Sequence, residues 1–73
     1  METTKKLIFK LRLNYDSIQN MIKWQKPLYQ IEKRIEKCLL DIEMAMRLTR
    51  MTEAEAKELF EIEDNLRELY NEI

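Results

Sequence analysis

Residues 28–49 read LYQIEKRIEKCLLDIEMAMRLT, and they contain the clearest structural signal of the sequence. Its apolar residues recur in alternating steps of three and four, which is the spacing that places side chains on one side of an α-helix. They are Leu28, Ile31, Ile35, Cys38, Ile42 and Ala45, with Leu39 and Met46 beside them. Pro27 suits the first turn of a helix, where the missing N–H group would have no partner. The spacing therefore predicts an amphipathic helix over residues 28–49.

A second amphipathic helix is predicted directly downstream, over residues 53–72. Thr52 and Glu55 have the spacing of a capping box, in which each side chain accepts a hydrogen bond from the other residue's backbone. The apolar spacing then resumes at Leu59, Ile62, Leu66, Leu69 and Ile73, and Phe60 and Tyr70 widen the stripe. Because the connection around residues 50–52 is very short, we expect the two helices to form an antiparallel helical hairpin.

The apolar positions of this hairpin are the predicted core and oligomer seam. They are Ile31, Ile35, Cys38, Ile42, Leu59, Ile62, Leu66 and Leu69. Both stripes are wider than one facing helix can cover, so either the N-terminal segment or a second subunit is expected to cover the flanks. The sequence thus predicts a mainly α fold, a single small helical domain over residues 1–73 with residues 1–6 flexible. We expect it to form a homodimer or a higher oligomer, because so short a chain is marginally stable alone.

The segment over residues 7–25 fits two patterns. A single helix places Ile8, Leu11, Tyr15, Ile18 and Ile22 on one face. A strand over residues 7–13 followed by a helix over residues 17–25 instead places Leu7, Phe9, Leu11 and Leu13 together. The strand needs a partner strand from another subunit, since backbone groups do not stay unpaired. The absence of glycine favours the helix, because hairpin turns then lack their usual residues, but both interpretations stay open.

Composition excludes several classes of function. The 73 residues are 45% hydrophobic and 37% charged, too apolar for disorder and too charged for a membrane span. Histidine and glycine are absent, so the chain can form neither a Ser-His or Cys-His nucleophile nor a glycine-rich phosphate loop. We expect no enzyme activity, no cofactor, no metal and no membrane partner, although a nucleotide held between subunits stays open. Cys38 is the only cysteine, which indicates a reduced core thiol and a cytoplasmic location.

Charge is distributed unevenly along the chain. Residues 1–26 carry six basic and two acidic residues, whereas residues 53–73 carry two basic and eight acidic residues. The candidate protein-binding face of the acidic helix is Glu58, Glu61, Glu68 and Glu72. Negative charge near a helix C-terminus opposes the macrodipole, so a basic partner is expected: this chain's own N-terminal segment, a neighbouring subunit or another protein. This pattern predicts a small protein-protein interaction module, such as a phage or mobile element uses to inhibit or regulate another protein.

The basic N-terminal segment supports an alternative function. Residues 9–14, FKLRLN, followed by two helical stretches, resemble the ribbon–helix–helix repressors, dimers that lay a two-stranded ribbon in the DNA major groove. The resemblance implies that Lys10 and Arg12 read bases and that Lys5 and Lys6 contact phosphates. Lys26-Pro27 replaces the glycine-containing turn of that family, and an extra acidic helix follows. The alternative is therefore a dimeric DNA-binding transcriptional regulator.

Overall fold

Three α-helices make up the described part of the chain, which is residues 4–73 of a computed structural model. They are α1 (Thr4–Lys23), α2 (Leu28–Leu48) and α3 (Glu53–Glu72). Four residues connect α1 to α2, and four connect α2 to α3. Each helix contacts the other two, so the three share one core. The prediction of a mainly α fold is confirmed, and the predicted bounds of the second and third helices hold within about a residue.

A single helix forms in the ambiguous N-terminal segment. Residues 7–13 lie within α1, and residues 4–73 contain no strand, so the strand-plus-helix interpretation is wrong. Ile8, Leu11 and Ile18 of α1 are buried against the other helices, whereas Phe9 and Leu13 are exposed. The helix satisfies its backbone hydrogen bonds internally and needs no second strand. Of the residues predicted to be flexible, 4–6 form the first turn of α1, while 1–3 lie outside the described residues.

The connection between α1 and α2 contains a left-handed residue at its second position. Gln25 has φ 57°, a conformation that glycine usually supplies at the end of a helix. The Gln25 N–H donates to the Ile22 carbonyl at 3.1 Å, and the Lys26 N–H donates to the Met21 carbonyl at 3.0 Å. These two bonds are the pattern of a Schellman motif. Pro27 follows as the N-cap of α2, one position before the first helical residue.

The connection between α2 and α3 ends in the predicted capping box, which is confirmed. The Glu55 N–H donates to Thr52 Oγ1 at 3.2 Å, and the Thr52 N–H donates to Glu55 Oε1 at 2.9 Å. Both bonds satisfy N–H groups that a helix start leaves without intrahelical partners. The sharp start of α3 is therefore encoded locally, by two residues three positions apart.

The core is aliphatic and runs the length of all three helices. The side chains of Ile18, Ile35, Ile42, Leu59 and Leu66 are completely buried. Cys38 is buried among them as a free thiol, and burial together with the nearby Asp41 charge raises its pKa. Fully burying aliphatic side chains of this size contributes about 1.5–3 kcal/mol each.

Candidate protein-binding surfaces

The predicted seam lies inside a single chain. Ile31, Ile35, Cys38, Ile42, Leu59, Ile62 and Leu66 are buried in the shared core, and Leu69 is partly buried at its edge. Leu39 and Met46, the expected flanks of the α2 stripe, also pack partly buried against this core. These residues are covered without a second subunit, because α1 closes the third side of the bundle. Any contact with a partner must therefore use other side chains.

The predicted acidic face of α3 is exposed along its whole length. Glu58, Glu61, Glu68 and Glu72 follow a three-four spacing on one side of the helix, and Asp64 lies beside them. We call these five residues the acidic face. The set predicted from the sequence does not include Asp64, which stands one turn before Glu68. Because all five are exposed, their carboxylates are available to a partner molecule.

Only Glu58 of the acidic face has a basic neighbour within ion-pair distance among residues 4–73. Its Oε2 lies 4.0 Å from Arg12 Nη2 of α1, and both side chains are about half exposed, so this pair contributes little. Nearby, Arg67 pairs instead with Glu63, at 3.7 Å. The last turn of α3 contains no basic residue. Glu68 and Glu72 therefore stand uncompensated at the negative end of the helix dipole, where each charge costs about 0.3–1 kcal/mol.

The basic residues of α1 do not form the arrangement that the DNA-binding alternative required. On a strand, Lys10 and Arg12 would project from the same face, but on a helix they point about 200° apart. Lys5 and Arg12 lie on the side towards α3: Lys5 lines a surface cleft with Glu55 and Glu58. Lys6 and Lys10 are one turn apart on a different side of the helix. The ribbon that the resemblance implied is absent from residues 4–73.

Contacts between the helices place the basic part of α1 and the end of α3 at opposite ends of the bundle. The start of α1 lies beside the start of α3, since Lys5 and Ile8 share a cleft with residues 52–58. The end of α3 lies beside the first half of α2, since the Tyr70 hydroxyl donates to Glu36 Oε1 at 3.2 Å. This bond and the carboxylate charge raise the pKa of Tyr70. The basic part of α1 and the end of the acidic face are therefore far apart.

Several large apolar side chains are exposed. On α1, Phe9 is 64% exposed and Leu13, one turn later, is 54% exposed. Trp24 is exposed in the α1–α2 connection, and Phe60 is 53% exposed on α3. The others are Leu28, Tyr29, Leu40, Met44 and Leu48 on α2 and Tyr70 on α3. The sequence contains one indication that Phe9 and Leu13 are exposed: a helical pattern places both of them outside its apolar face. Exposed aromatic side chains are common anchors in protein interfaces.

Chemical sites of other kinds do not emerge from the described residues. Within 4–73, no group of three or more Cys, Asp and Glu side chains is placed to hold a metal ion. In the same part of the chain, no helix is both long enough and apolar enough to cross a membrane. The chain matches no protein-family model, no curated protein and no solved structure. Its charged and apolar surfaces are therefore the features from which a function can be argued.

Proposed function

We propose that this protein is a non-enzymatic protein-binding module whose acidic face binds a basic surface on another protein. By occupying that surface it would inhibit or regulate its target, as small proteins of phages and mobile elements do. The observation that carries the proposal is the exposed run of Glu61, Asp64, Glu68 and Glu72, which has no basic partner within residues 4–73. Surfaces of one sign steer association with a partner of the opposite sign and suppress wrong partners. The free thiol of Cys38 suits the reducing cytoplasm as the place of action.

Phe60 supplies an apolar anchor next to the acidic face. It stands one turn before Asp64 on α3 and lines a groove with Glu53, Ala56 and Lys57. Exposed charges contribute mainly to the association rate and to specificity, whereas a buried aromatic side chain slows dissociation. A partner with basic residues around an apolar pocket would use both features.

The proposed arrangement of the helices is an antiparallel α2–α3 hairpin with α1 packed alongside. Three contacts support it: Tyr70 with Glu36, Arg34 with Ser17 at 3.5 Å, and Arg12 with Glu58. Together they support an arrangement with α1 antiparallel to α2 and parallel to α3. This arrangement holds the acidic face on rigid helix rather than on a loop, so binding would order no further backbone.

The test compares two variants of equal charge. One replaces Glu61, Glu68 and Glu72 by Gln. The matched control neutralises three carboxylates of α2, with Glu32→Gln, Asp41→Asn and Glu43→Gln. Proteins captured from the native host by the wild type are identified by mass spectrometry, and their affinities for each variant are measured by calorimetry.

We expect the acidic-face variant to bind its partner at least tenfold more weakly and the control variant to bind within about threefold of the wild type. Equal losses in both variants would show an effect of net charge alone and would overturn the proposal. A random-oligonucleotide selection is run in parallel. Specific enrichment of DNA, with no protein partner, would favour the DNA-binding alternative instead.

A further inference from the structure

The corner of the bundle between α1 and α2 is exposed without interruption. Every residue of 23–30, KWQKPLYQ, is exposed. The run contains three large apolar side chains: Trp24 is 66% exposed, Leu28 52% and Tyr29 61%. We call residues 23–30 the tip. Large apolar side chains gathered at one exposed place are typical of a surface that contacts another molecule or a membrane.

The charge of the tip comes from two lysines, Lys23 and Lys26. No acidic residue occurs in the sequence between Asp16 and Glu32, so the tip itself contains none. Neither lysine forms an ion pair within residues 4–73. The tip therefore combines uncompensated positive charge with apolar side chains, and its complement is a surface that is negatively charged outside and apolar beneath.

The backbone of the tip is already fixed. The Trp24 N–H donates to the Asn20 carbonyl at 2.9 Å, and the Gln30 N–H donates to the Pro27 carbonyl at 3.0 Å. The two bonds of the Schellman motif lie between them, and the proline ring restricts the chain further. Docking through the tip would therefore order side chains alone, which keeps its entropic cost low.

This combination of side chains is the one found at membrane–water interfaces. Tryptophan and tyrosine rings settle at the level of the lipid headgroups, and Leu28 gains free energy on entering the hydrocarbon boundary. Lysine stems lie along apolar surface while their ammonium groups stay among the headgroups. A nucleic acid would use the rings and the lysines but would gain little from Leu28, and single-strand sites track the phosphates along a basic groove rather than at a corner between two helices. The tip therefore favours an anionic bilayer over a nucleic acid.

The end of the acidic face sets the orientation of this contact. Glu68 and Glu72 lie in the last two turns of α3, and the bond from Tyr70 to Glu36 places these turns beside the first half of α2. An anionic bilayer repels these carboxylates, so α3 turns away from the lipid while the α1–α2 corner faces it. The acidic face then stays in water.

We propose that the tip docks this protein on a bilayer that contains anionic lipid, the kind of surface that the cytoplasmic leaflet presents. The sequence-based expectation of no membrane partner came from the composition of the whole chain, which opposes a membrane span. A contact at the surface needs only a local group of side chains. The inference goes beyond the proposed function and does not depend on it.

The test uses the full chain and its own fluorescence. Trp24 is the only tryptophan, so its emission reports on the tip directly. The protein is titrated with vesicles of phosphatidylcholine alone and with vesicles that also contain phosphatidylglycerol, and circular dichroism verifies the folding of each variant. A single-stranded oligonucleotide of random sequence is titrated in parallel.

We expect the Trp24 emission to shift to shorter wavelength with the anionic vesicles and not with the neutral ones. Two apolar anchors and two lysines give weak, reversible binding, on the order of the 10⁴ M⁻¹ that a single acyl chain provides. Replacing Lys23 and Lys26 by Gln should weaken it about thirtyfold, because each basic residue near an anionic surface contributes a factor of about five.

Two further variants test the placement of the contact. The control carries Lys5→Gln and Lys57→Gln, which change the net charge equally at the opposite end of the bundle, and it should bind within about threefold of the wild type. Glu68→Gln with Glu72→Gln should bind at least twofold more tightly than the wild type, because the repulsion of α3 from the bilayer is removed.

Several results would overturn the inference. They are a wild type whose emission does not respond to anionic vesicles, equal binding to neutral and anionic vesicles, and equal losses in the Lys23–Lys26 variant and the control. Quenching of Trp24 by the oligonucleotide, with no response to vesicles, would assign the tip to nucleic acid instead. Each of these outcomes leaves the proposed function standing, because binding of a protein partner to the acidic face is measured without lipid.

Discussion

Replacing Gln25 by Gly should stabilise the protein. Gln25 holds φ 57°, a left-handed conformation that costs a residue with a Cβ about 1–2 kcal/mol. Its side chain is exposed, and the two hydrogen bonds of this turn are made by backbone groups, which glycine keeps. Glycine removes the clash but loses more backbone entropy on folding, by roughly 0.5–1 kcal/mol. The expected net gain is about 0.5–1 kcal/mol.

The gain is measurable by urea unfolding followed by circular dichroism, or as a rise in Tm. For a domain of this size, 1 kcal/mol corresponds to a rise of about 4–8 °C. Gln25→Ala is the matched control, because alanine keeps the Cβ and should leave the free energy of unfolding nearly unchanged. If Gln25→Gly were no more stable than Gln25→Ala, the left-handed strain would not exist and the reasoning would be refuted.

Two further predictions concern the cap and the buried thiol. Thr52→Ala should lower the free energy of unfolding by about 1 kcal/mol, because the Glu55 N–H loses its acceptor. Thr49→Ala, in the same connection, is the control and should change the free energy of unfolding little. Equal effects of the two substitutions would contradict this role of the cap. Folding raises the pKa of Cys38 above its ordinary value of 9.0, mainly through burial, so the unfolded chain loses the thiol proton first as pH rises. The stabilising effect is therefore complete below pH 9 and decreases above it. The difference in free energy of unfolding between the wild type and Cys38→Ala should then narrow from pH 8 to pH 10.5, and a constant difference would exclude a role for this titration.

The second and third helices were predictable because their signals are local and redundant. Apolar spacing, Pro27 and the Thr52–Glu55 pair all indicate the same boundaries, and the structure has them there. The N-terminal segment was ambiguous because its apolar run over residues 7–13 fits both the helical and the strand period. What decides between them is tertiary: α2 and α3 offer a surface that Ile8, Leu11 and Ile18 cover only when α1 is helical.

The acidic face was predictable as a set of residues but not as a surface. Helical spacing alone places Glu61, Glu68 and Glu72 on one side of α3. Glu58 faces Arg12 because of the way α1 packs against α3. The spacing of residues within one helix does not encode that packing. The prediction that either the N-terminal segment or a second subunit covers the apolar flanks left both choices open. In the structure Leu39 and Met46 are partly buried, whereas Phe60 on α3 and Phe9 and Leu13 on the outer side of α1 are exposed.

The two four-residue connections have a consequence for folding speed. Two of the three helix pairs, α1–α2 and α2–α3, are neighbours in the sequence and are joined by four residues, so no long loop has to close before these pairs form. Helical bundles whose contacts are mostly local fold within microseconds to milliseconds. A newly synthesised chain is therefore expected to assemble its three-helix core within that time once α3 is complete.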